Sequence, residues 1–362
     1  MHPSLKWMAA AAICLATPAA AAEPHRVYYS GPTSDHFDGR RFFNPDGEQG
    51  TGGASRESGG QLLRRIVDGP KGSWPKSVPV TPTKPDARVR GQDMRVTWIG
   101  HSTVLVQTQG LNILTDPIWA QRASPFQFIG PKRVRQPGVR MRDLPKIDLI
   151  LISHNHYDHL DMAAVEHLWR RDRPMIVTGL GNDTLLARRG VASTAGDWGA
   201  RVTVRPGIEV IVERAHHWSA RWDDDHDSAL WTGFTVVLPG GNLYFAGDTG
   251  PGDMSWAKAA AARGAVRLAI LPIGAFKPNL PLSGNHIDPA EAVSAFEQLN
   301  AAYALGVHWG TFELTPERIN DPPDYLASAL EQQDIASDRF RATVAGEPWT
   351  IPPLASTRAG AP

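Results

Sequence analysis

The segment Ser153-His154-Asn155-His156-Tyr157-Asp158-His159-Leu160-Asp161 gathers three imidazoles and two carboxylates directly after the apolar run Leu149-Ile150-Leu151-Ile152. Nitrogen and oxygen donors crowded into one short loop, with no thiolate among them, make a donor set for zinc or a similar borderline metal. Successive side chains alternate in an extended chain, so His154 and His156 fall on one side, and Asp158 and His159 can turn two more donors toward the same point. Imidazole and carboxylate together also suit two ions held close to one another, an arrangement used in hydrolysis.

Four donors from one loop do not complete two coordination shells, so further ligands must come from elsewhere in the chain. Three segments qualify, each at the apparent carboxyl end of a strand: Ala215-His216-His217-Trp218, Ala246-Gly247-Asp248-Thr249-Gly250 and Gly306-Val307-His308-Trp309-Gly310. The glycines around Asp248 permit a tight backbone turn about one carboxylate. His101 and Asp116 also stand at strand ends, where they could orient metal-bound imidazoles.

The elements that must position these residues are short. Arg95–Gly100, Thr103–Thr108 and Leu111–Asp116 are β-branched, apolar runs separated by glycine turns, which predicts a meander of strands. Periodicity predicts helices at 162–171, 184–189, 255–262, 289–299 and 323–332. Further strands are predicted at 175–178, 202–204, 209–213, 232–238, 242–245, 268–273 and 304–307. Strands in meander followed by strands interleaved with helices imply two sheets face to face with helices outside.

Before this core, residues 23–93 are rich in Gly, Pro, Ser and charge, with one helical piece near 61–66, and read as an arm packed on the 94–362 domain. Its aromatics, Tyr28, Tyr29, Phe37, Phe42 and Phe43, are expected to pack on the core. Residues 1–22 read as a signal peptide: Lys6 gives the positive start, Trp7 to Ala16 the apolar stretch and Ala20-Ala21-Ala22 the small-residue cleavage site, so an exported, periplasmic or secreted protein is expected. Cys14, the sole cysteine, lies inside that leader. With 37 basic against 37 acidic residues, the net charge of zero supplies no global field for nucleic acid. The acidic run Trp222-Asp223-Asp224-Asp225-His226-Asp227 is expected to be a solvated loop.

The metal loop, the Gly247-Asp248-Thr249 turn and the Val307-His308-Trp309 segment together resemble the metallo-β-lactamase superfamily. More narrowly the chain is similar to the N-acyl-phosphatidylethanolamine-hydrolysing phospholipase D group, through Asp35 to Pro45, Thr97 to Ser102, Leu114 to Pro117, Gly130 to Arg133, Ser153 to Asp161, Ala215 to Trp218, Phe245 to Gly250, Leu271 to Phe276 and Val307 to Thr311. The resemblance implies a four-layer αββα sandwich and a binuclear phosphodiesterase acting through a metal-bridging hydroxide. It assigns His154, His156 and His217 to one divalent ion, Asp158, His159 and His308 to the second, and Asp248 to both. Zinc is the expected metal, with manganese or iron as substitutes. Asp158 and His286 are the implied catalytic residues, His286 acting on the substrate phosphate as hydrogen-bond donor or general acid. The stretch Lys277 to Gly284 departs from the group's pattern. A phospholipid or small-molecule phosphodiester is the implied substrate, and twelve tryptophans admit peripheral membrane contact. The alternatives are a lactonase of the ascorbate-phosphate type and a metal- or lipid-binding protein without turnover; a cysteine-liganded β-lactamase is excluded by composition.

Overall fold

The computed structural model describes residues 25–47, 74–277 and 283–354. The leader expected at 1–22 and the helical piece expected near 61–66 lie outside the described residues, as does most of the stretch 277–284. No helix among the described residues is long and apolar enough to cross a membrane.

Among the described residues, fourteen strands form two seven-stranded sheets. The first sheet contains β1 (Met94–Gly100), β2 (Thr103–Thr108), β3 (Leu111–Thr115), β4 (Leu149–Ile152), β5 (Met175–Gly179), β6 (Thr194–Gly196) and β14 (Pro348–Ile351), in the order β14-β1-β2-β3-β4-β5-β6. The second contains β7 (Arg201–Arg205), β8 (Ile208–Glu213), β9 (Gly233–Val237), β10 (Asn242–Phe245), β11 (Val266–Pro272), β12 (Tyr303–Val307) and β13 (Phe340–Arg341), in the order β13-β12-β11-β10-β9-β8-β7. Five α-helices among the described residues accompany them: α1 (Met162–Asp172), α2 (Asn182–Ala187), α3 (Ser255–Ala261), α4 (Pro289–Gln298) and α5 (Asp321–Gln332).

The strand β4 explains why the sheets stack. All four of its residues are buried, and its side chains divide by parity. Leu149 and Leu151 join Val96, Trp98 and Val106 against Val210, Phe234, Phe245 and Ile270 of the second sheet. Ile150 and Ile152 face the other way, onto Leu160, Val165, Leu168 and Leu186 around α1 and α2. A strand covered on both faces reads as a continuous apolar run, which is what Leu-Ile-Leu-Ile is. Helices α3, α4 and α5 pack against the second sheet, α3 on β8 and α4 on β11. The layers are therefore helix, sheet, sheet, helix, as the resemblance implied.

Strand direction places the functional loops. In the first sheet β3 and β4 run parallel, and β1 is antiparallel to β2, which is antiparallel to β3, so β1, β3 and β4 share one direction. In the second, β10, β11 and β12 are parallel, and two antiparallel steps through β9 bring β8 into the same direction. The carboxyl ends of β1, β3 and β4 in the first sheet and of β8, β10, β11 and β12 in the second thus lie along one edge, and the loops leaving β1, β3, β4, β8, β10 and β12 carry His101, Asp116, His154 to His159, His216, His217, Asp248 and His308.

The arm aromatics pack as expected: Phe37 and Phe42 are buried with Ala215, Leu230 and Trp231, and Tyr28 with Leu185 and Ala229. The acidic run is a solvated loop only in part: Trp222, Asp223 and His226 are exposed, but the carboxylates between them are engaged. Asp225 is fully buried, accepting from the Tyr28 hydroxyl at 2.8 Å and from the Arg221 and Trp222 amides at 2.8 Å each, while Asp224 pairs with Arg26 at 2.8 Å. Those carboxylates clasp the arm, a role that charge density alone does not reveal.

Candidate metal centre

Every proposed ligand converges on this edge. His154 Nε2 lies 2.8 Å from His156 Nδ1, and His217 Nε2 lies 3.4 Å from the same atom. The second cluster gathers His101, Asp158, His159 and His308, with Asp158 Oδ2 at 2.9 Å from His101 Nε2, 3.3 Å from His308 Nε2 and 3.4 Å from His159 Nε2. Between them stands Asp248. Its Oδ2 is 3.0 Å from both His159 Nε2 and His308 Nε2, 3.8 Å from His217 Nε2, and 3.9 Å from both His154 Nε2 and His286 Nδ1.

Hydrogen bonds on the outer side of the rings determine which nitrogen faces inward. His217 Nδ1 lies 2.8 Å from the Asn285 carbonyl, which only accepts, so this nitrogen carries the proton and Nε2 presents a lone pair. His159 Nδ1 donates to Asp116 Oδ2 at 2.7 Å. The Ser153 hydroxyl donates to that same Oδ2 at 2.5 Å and receives the His154 Nδ1 proton at 2.9 Å. One buried carboxylate therefore orients an imidazole in each cluster, directly for His159 and through Ser153 for His154. Arg221 braces the metal loop itself by donating to the carbonyls of Asn155 and Leu160 at 2.9 and 3.0 Å.

The electrostatics differ between the clusters. Burial, then repulsion among the imidazoles, holds His154 and His217 well below the usual histidine range, and burial brings His156 down to about 3. Those three rings are neutral, as metal ligands must be. Burial would also lower His159 and His308, but the Asp248 and Asp158 carboxylates outweigh it, raising His159 well above its ordinary value and His308 to about 9. Burial would raise both aspartates, yet the charge on His159 and the hydrogen bonds from neighbouring imidazoles hold them well below the carboxylate range. Two carboxylates enclosed here demand positive charge, and His156 Nε2, His308 Nδ1 and Asp248 Oδ1 are buried with no hydrogen-bond partner among the described residues. An imidazole-carboxylate cluster of this kind fits divalent metal.

The chain bends sharply to aim these groups. His101, Asp116 and His308 each follow a strand and each adopt left-handed backbone, with φ of 53°, 28° and 64°. Such conformations cost about 1–3 kcal/mol apiece in residues other than glycine, and persist where surrounding contacts impose them. Here the His101 carbonyl accepts the His308 amide at 3.1 Å, and the Leu151 carbonyl accepts the Asp116 amide at 2.9 Å. Two glycines do what the sequence suggested for the Asp248 turn. Gly247 has φ of 64° and a Cβ there would meet Ser153 Cβ at 2.5 Å, whereas one on Gly250 would lie 1.6 Å from the Gly284 carbonyl oxygen.

His216 is turned away from the cluster, its Nδ1 lying 3.1 Å from the Asp46 carboxylate, while His217 points into it. His286, partly open to solvent, stands over both clusters, its ring 5.1 Å from those of His217 and His308. Asp116 orients an imidazole as anticipated, but His101 meets the Asp158 carboxylate instead of a ring nitrogen. Ser153, Arg221 and the Asn285 carbonyl went unnoticed in the sequence: a serine beside a histidine, an arginine beyond it and a backbone oxygen carry no pattern of their own.

Replacing Asp116 by Asn removes an acceptor that serves both clusters. Metal affinity is expected to fall about 10–100-fold, the usual cost of losing such an outer partner; competition titration against a chromophoric chelator measures it, and unchanged affinity would show that the rings orient without Asp116.

Comparison with known proteins agrees with this geometry. Residues 111–309, more than half of the chain, match the model of the Beta-lactamase superfamily domain. The chain is 36% identical over 266 residues to an N-acyl-phosphatidylethanolamine-hydrolyzing phospholipase D 1 of Caenorhabditis elegans, covering 70% of this chain and 74% of that protein. It is 33% identical over 241 residues to the mitochondrial N-acyl-phosphatidylethanolamine-hydrolyzing phospholipase D of Saccharomyces cerevisiae, spanning about half (51%) of that relative. Igni18, a metallo hydrolase from Ignicoccus hospitalis, shares the fold with a TM-score of 0.54 at 22% identity, over 72% of this chain and 98% of its own. With two sheets whose carboxyl ends enclose a His/Asp cluster, the chain belongs to the metallo-β-lactamase superfamily of metal-dependent hydrolases.

Proposed function

We propose that this hydrolase is a binuclear phosphodiesterase of the N-acyl-phosphatidylethanolamine phospholipase D type, with zinc as its metal. The observation that carries the reading is the position of Asp248 Oδ2, within 4 Å of imidazole nitrogens from both clusters, where one carboxylate can serve two ions. His154, His156 and His217 would hold one ion, Asp158, His159 and His308 the other, and Asp248 both. When bound, the ions supply an acidified water and positive charge opposite the phosphoryl oxygens. The two aspartates offset only part of that charge, which favours an anionic substrate.

The protein's own groups do the rest. His101 fixes the Asp158 oxygen, and Asp116 keeps lone pairs of His154 and His159 turned inward. Burial lowers His286 to about 4, so at neutral pH it is an uncharged imidazole offering one N–H. Of the two roles the resemblance allows, this favours hydrogen-bond donation to a substrate oxygen over general acid catalysis. Trp218, half-buried, sets its ring 4.2 Å from that of His156 and stacks on His226 at 4.9 Å, giving one side of the centre an apolar wall suited to a lipid substrate. Export through the leader, and peripheral contact with a membrane that presents the lipid, complete the reading.

The test compares bis-p-nitrophenyl phosphate and N-acyl-phosphatidylethanolamine with a lactone and a β-lactam, using metal-analysed protein. Phosphodiester cleavage abolished by a chelator and restored by zinc is expected. Turnover of the lactone or β-lactam alone would keep the fold and overturn the substrate.

A further inference from the structure

We propose that the N-terminal arm is part of the metal centre, with Asn44 the positioning residue for His217. Asn44 lies outside the matched 111–309 segment, yet it is 3% exposed and reaches the ligand loop. Its Nδ2 donates to the His217 carbonyl at 2.9 Å, and its Oδ1 accepts from the Trp231 indole at 3.1 Å. That indole also donates to the Ala215 carbonyl at 3.1 Å. Two residues further along the arm, Asp46 pairs with Arg214 at 2.5 Å and accepts from His216 Nδ1 and the Asp253 amide at 3.1 and 3.0 Å. The run Arg214 to His217 is thus tied to the arm, directly or through Trp231, at each of its four residues.

The tie matters because little else fixes His217. On its outer side the ring is held by one hydrogen bond, to the Asn285 carbonyl, while its inward nitrogen, 3.4 Å from His156 Nδ1, is the one offered to metal. The loop is also coupled onward to the Asp248 turn, since His216 receives a hydrogen bond at its carbonyl from the Gly250 amide at 2.6 Å and donates its amide to Thr249 Oγ1 at 3.0 Å, one residue from Asp248. Only an amide side chain satisfies both neighbours of Asn44. An aspartate of the same shape could accept from Trp231 but would set a carboxylate oxygen against the His217 carbonyl.

This inference rests on the ligand assignment proposed above, and the variants separate the two. Zinc affinity and stoichiometry are measured by chelator competition, and the absorption spectrum of the cobalt-loaded protein by titration, on the full chain and on Asn44→Asp, Asp46→Asn, His217→Ala and Tyr28→Phe. Asn44→Asp is expected to weaken one of two ions about 10–100-fold and to alter the cobalt spectrum, with the second ion unaffected. Asp46→Asn shifts the same ion in the same direction, and it carries the test should Asn44→Asp not fold. Tyr28→Phe, which loosens the arm at Asp225 instead, leaves both ions in place. If His217→Ala changes metal binding while Asn44→Asp and Asp46→Asn do not, the arm is mere packing and the proposal fails. Equal weakening by Tyr28→Phe would also overturn it, since any loosening would then suffice. If His217→Ala itself leaves metal binding unchanged, the ligand assignment fails and takes the arm's role with it.

Discussion

An Asp248→Asn variant should lose at least about 10³-fold in turnover and should no longer hold two ions per chain. The substitution keeps size and shape, so folding is not the issue. What disappears is one full negative charge at the point where five imidazole nitrogens lie within 4 Å of a single oxygen. An amide can still coordinate weakly through its carbonyl, but at this buried position it cannot balance cations on both sides. Metal analysis by mass spectrometry and kcat on a soluble phosphodiester read the result. Two ions retained with turnover near that of the parent protein would mean that Asp248 sits between the clusters without bridging them.

Trp98→Ala should produce the largest loss of stability, about 3–5 kcal/mol by urea denaturation. Trp98 on β1 is 1% exposed, and it stacks on Trp309, just beyond β12, with ring centroids 4.8 Å apart. The pair is a contact between the two sheets, capped by Arg135 lying over both rings. The indole N–H also donates to the His101 carbonyl at 2.7 Å, beside the carbonyl-to-amide link between His101 and His308. Removing the ring leaves a cavity directly beneath two residues of the centre, so activity should fall even in the fraction that stays folded. Trp98→Phe keeps most of the packing and loses one hydrogen bond, worth about 1 kcal/mol. Equal effects from Ala and Phe would place the stability in the N–H instead of the ring.

The strands that the sequence predicted best are those buried along almost their whole length. β2, β8 and β10 announce themselves through local composition, as short β-branched or apolar runs bounded by turns. β14 and β13 were missed for the opposite reason. Pro348-Trp349-Thr350-Ile351 pairs with β1 across more than two hundred residues of sequence, and Phe340-Arg341 is only two residues long. Neither has a period to detect; partners define them. The site divides in a similar way. His154 to His159 is a local pattern, and Asp248 and His308 follow strands that local pattern finds. Choosing His217 over His216 needed the resemblance, and only the fold explains it: Asp46, on the arm, engages the neighbouring ring. Ser153 relays Asp116 to His154 because β3 and β4 are parallel neighbours, which no inspection of residue types reveals.

The left-handed turns at His101, Asp116 and His308 set a trap for anyone trying to make this protein hardier. Glycine, and to a lesser degree asparagine, occupies that backbone region at little cost, so a library screened only for survival of heat would be drawn to these three positions. Each winning clone would gain in melting temperature by relaxing a bend whose purpose is to aim a side chain, and each would surrender an imidazole or carboxylate in doing so. Durability and turnover are opposed at the backbone of this centre, and any selection applied to the chain has to score both.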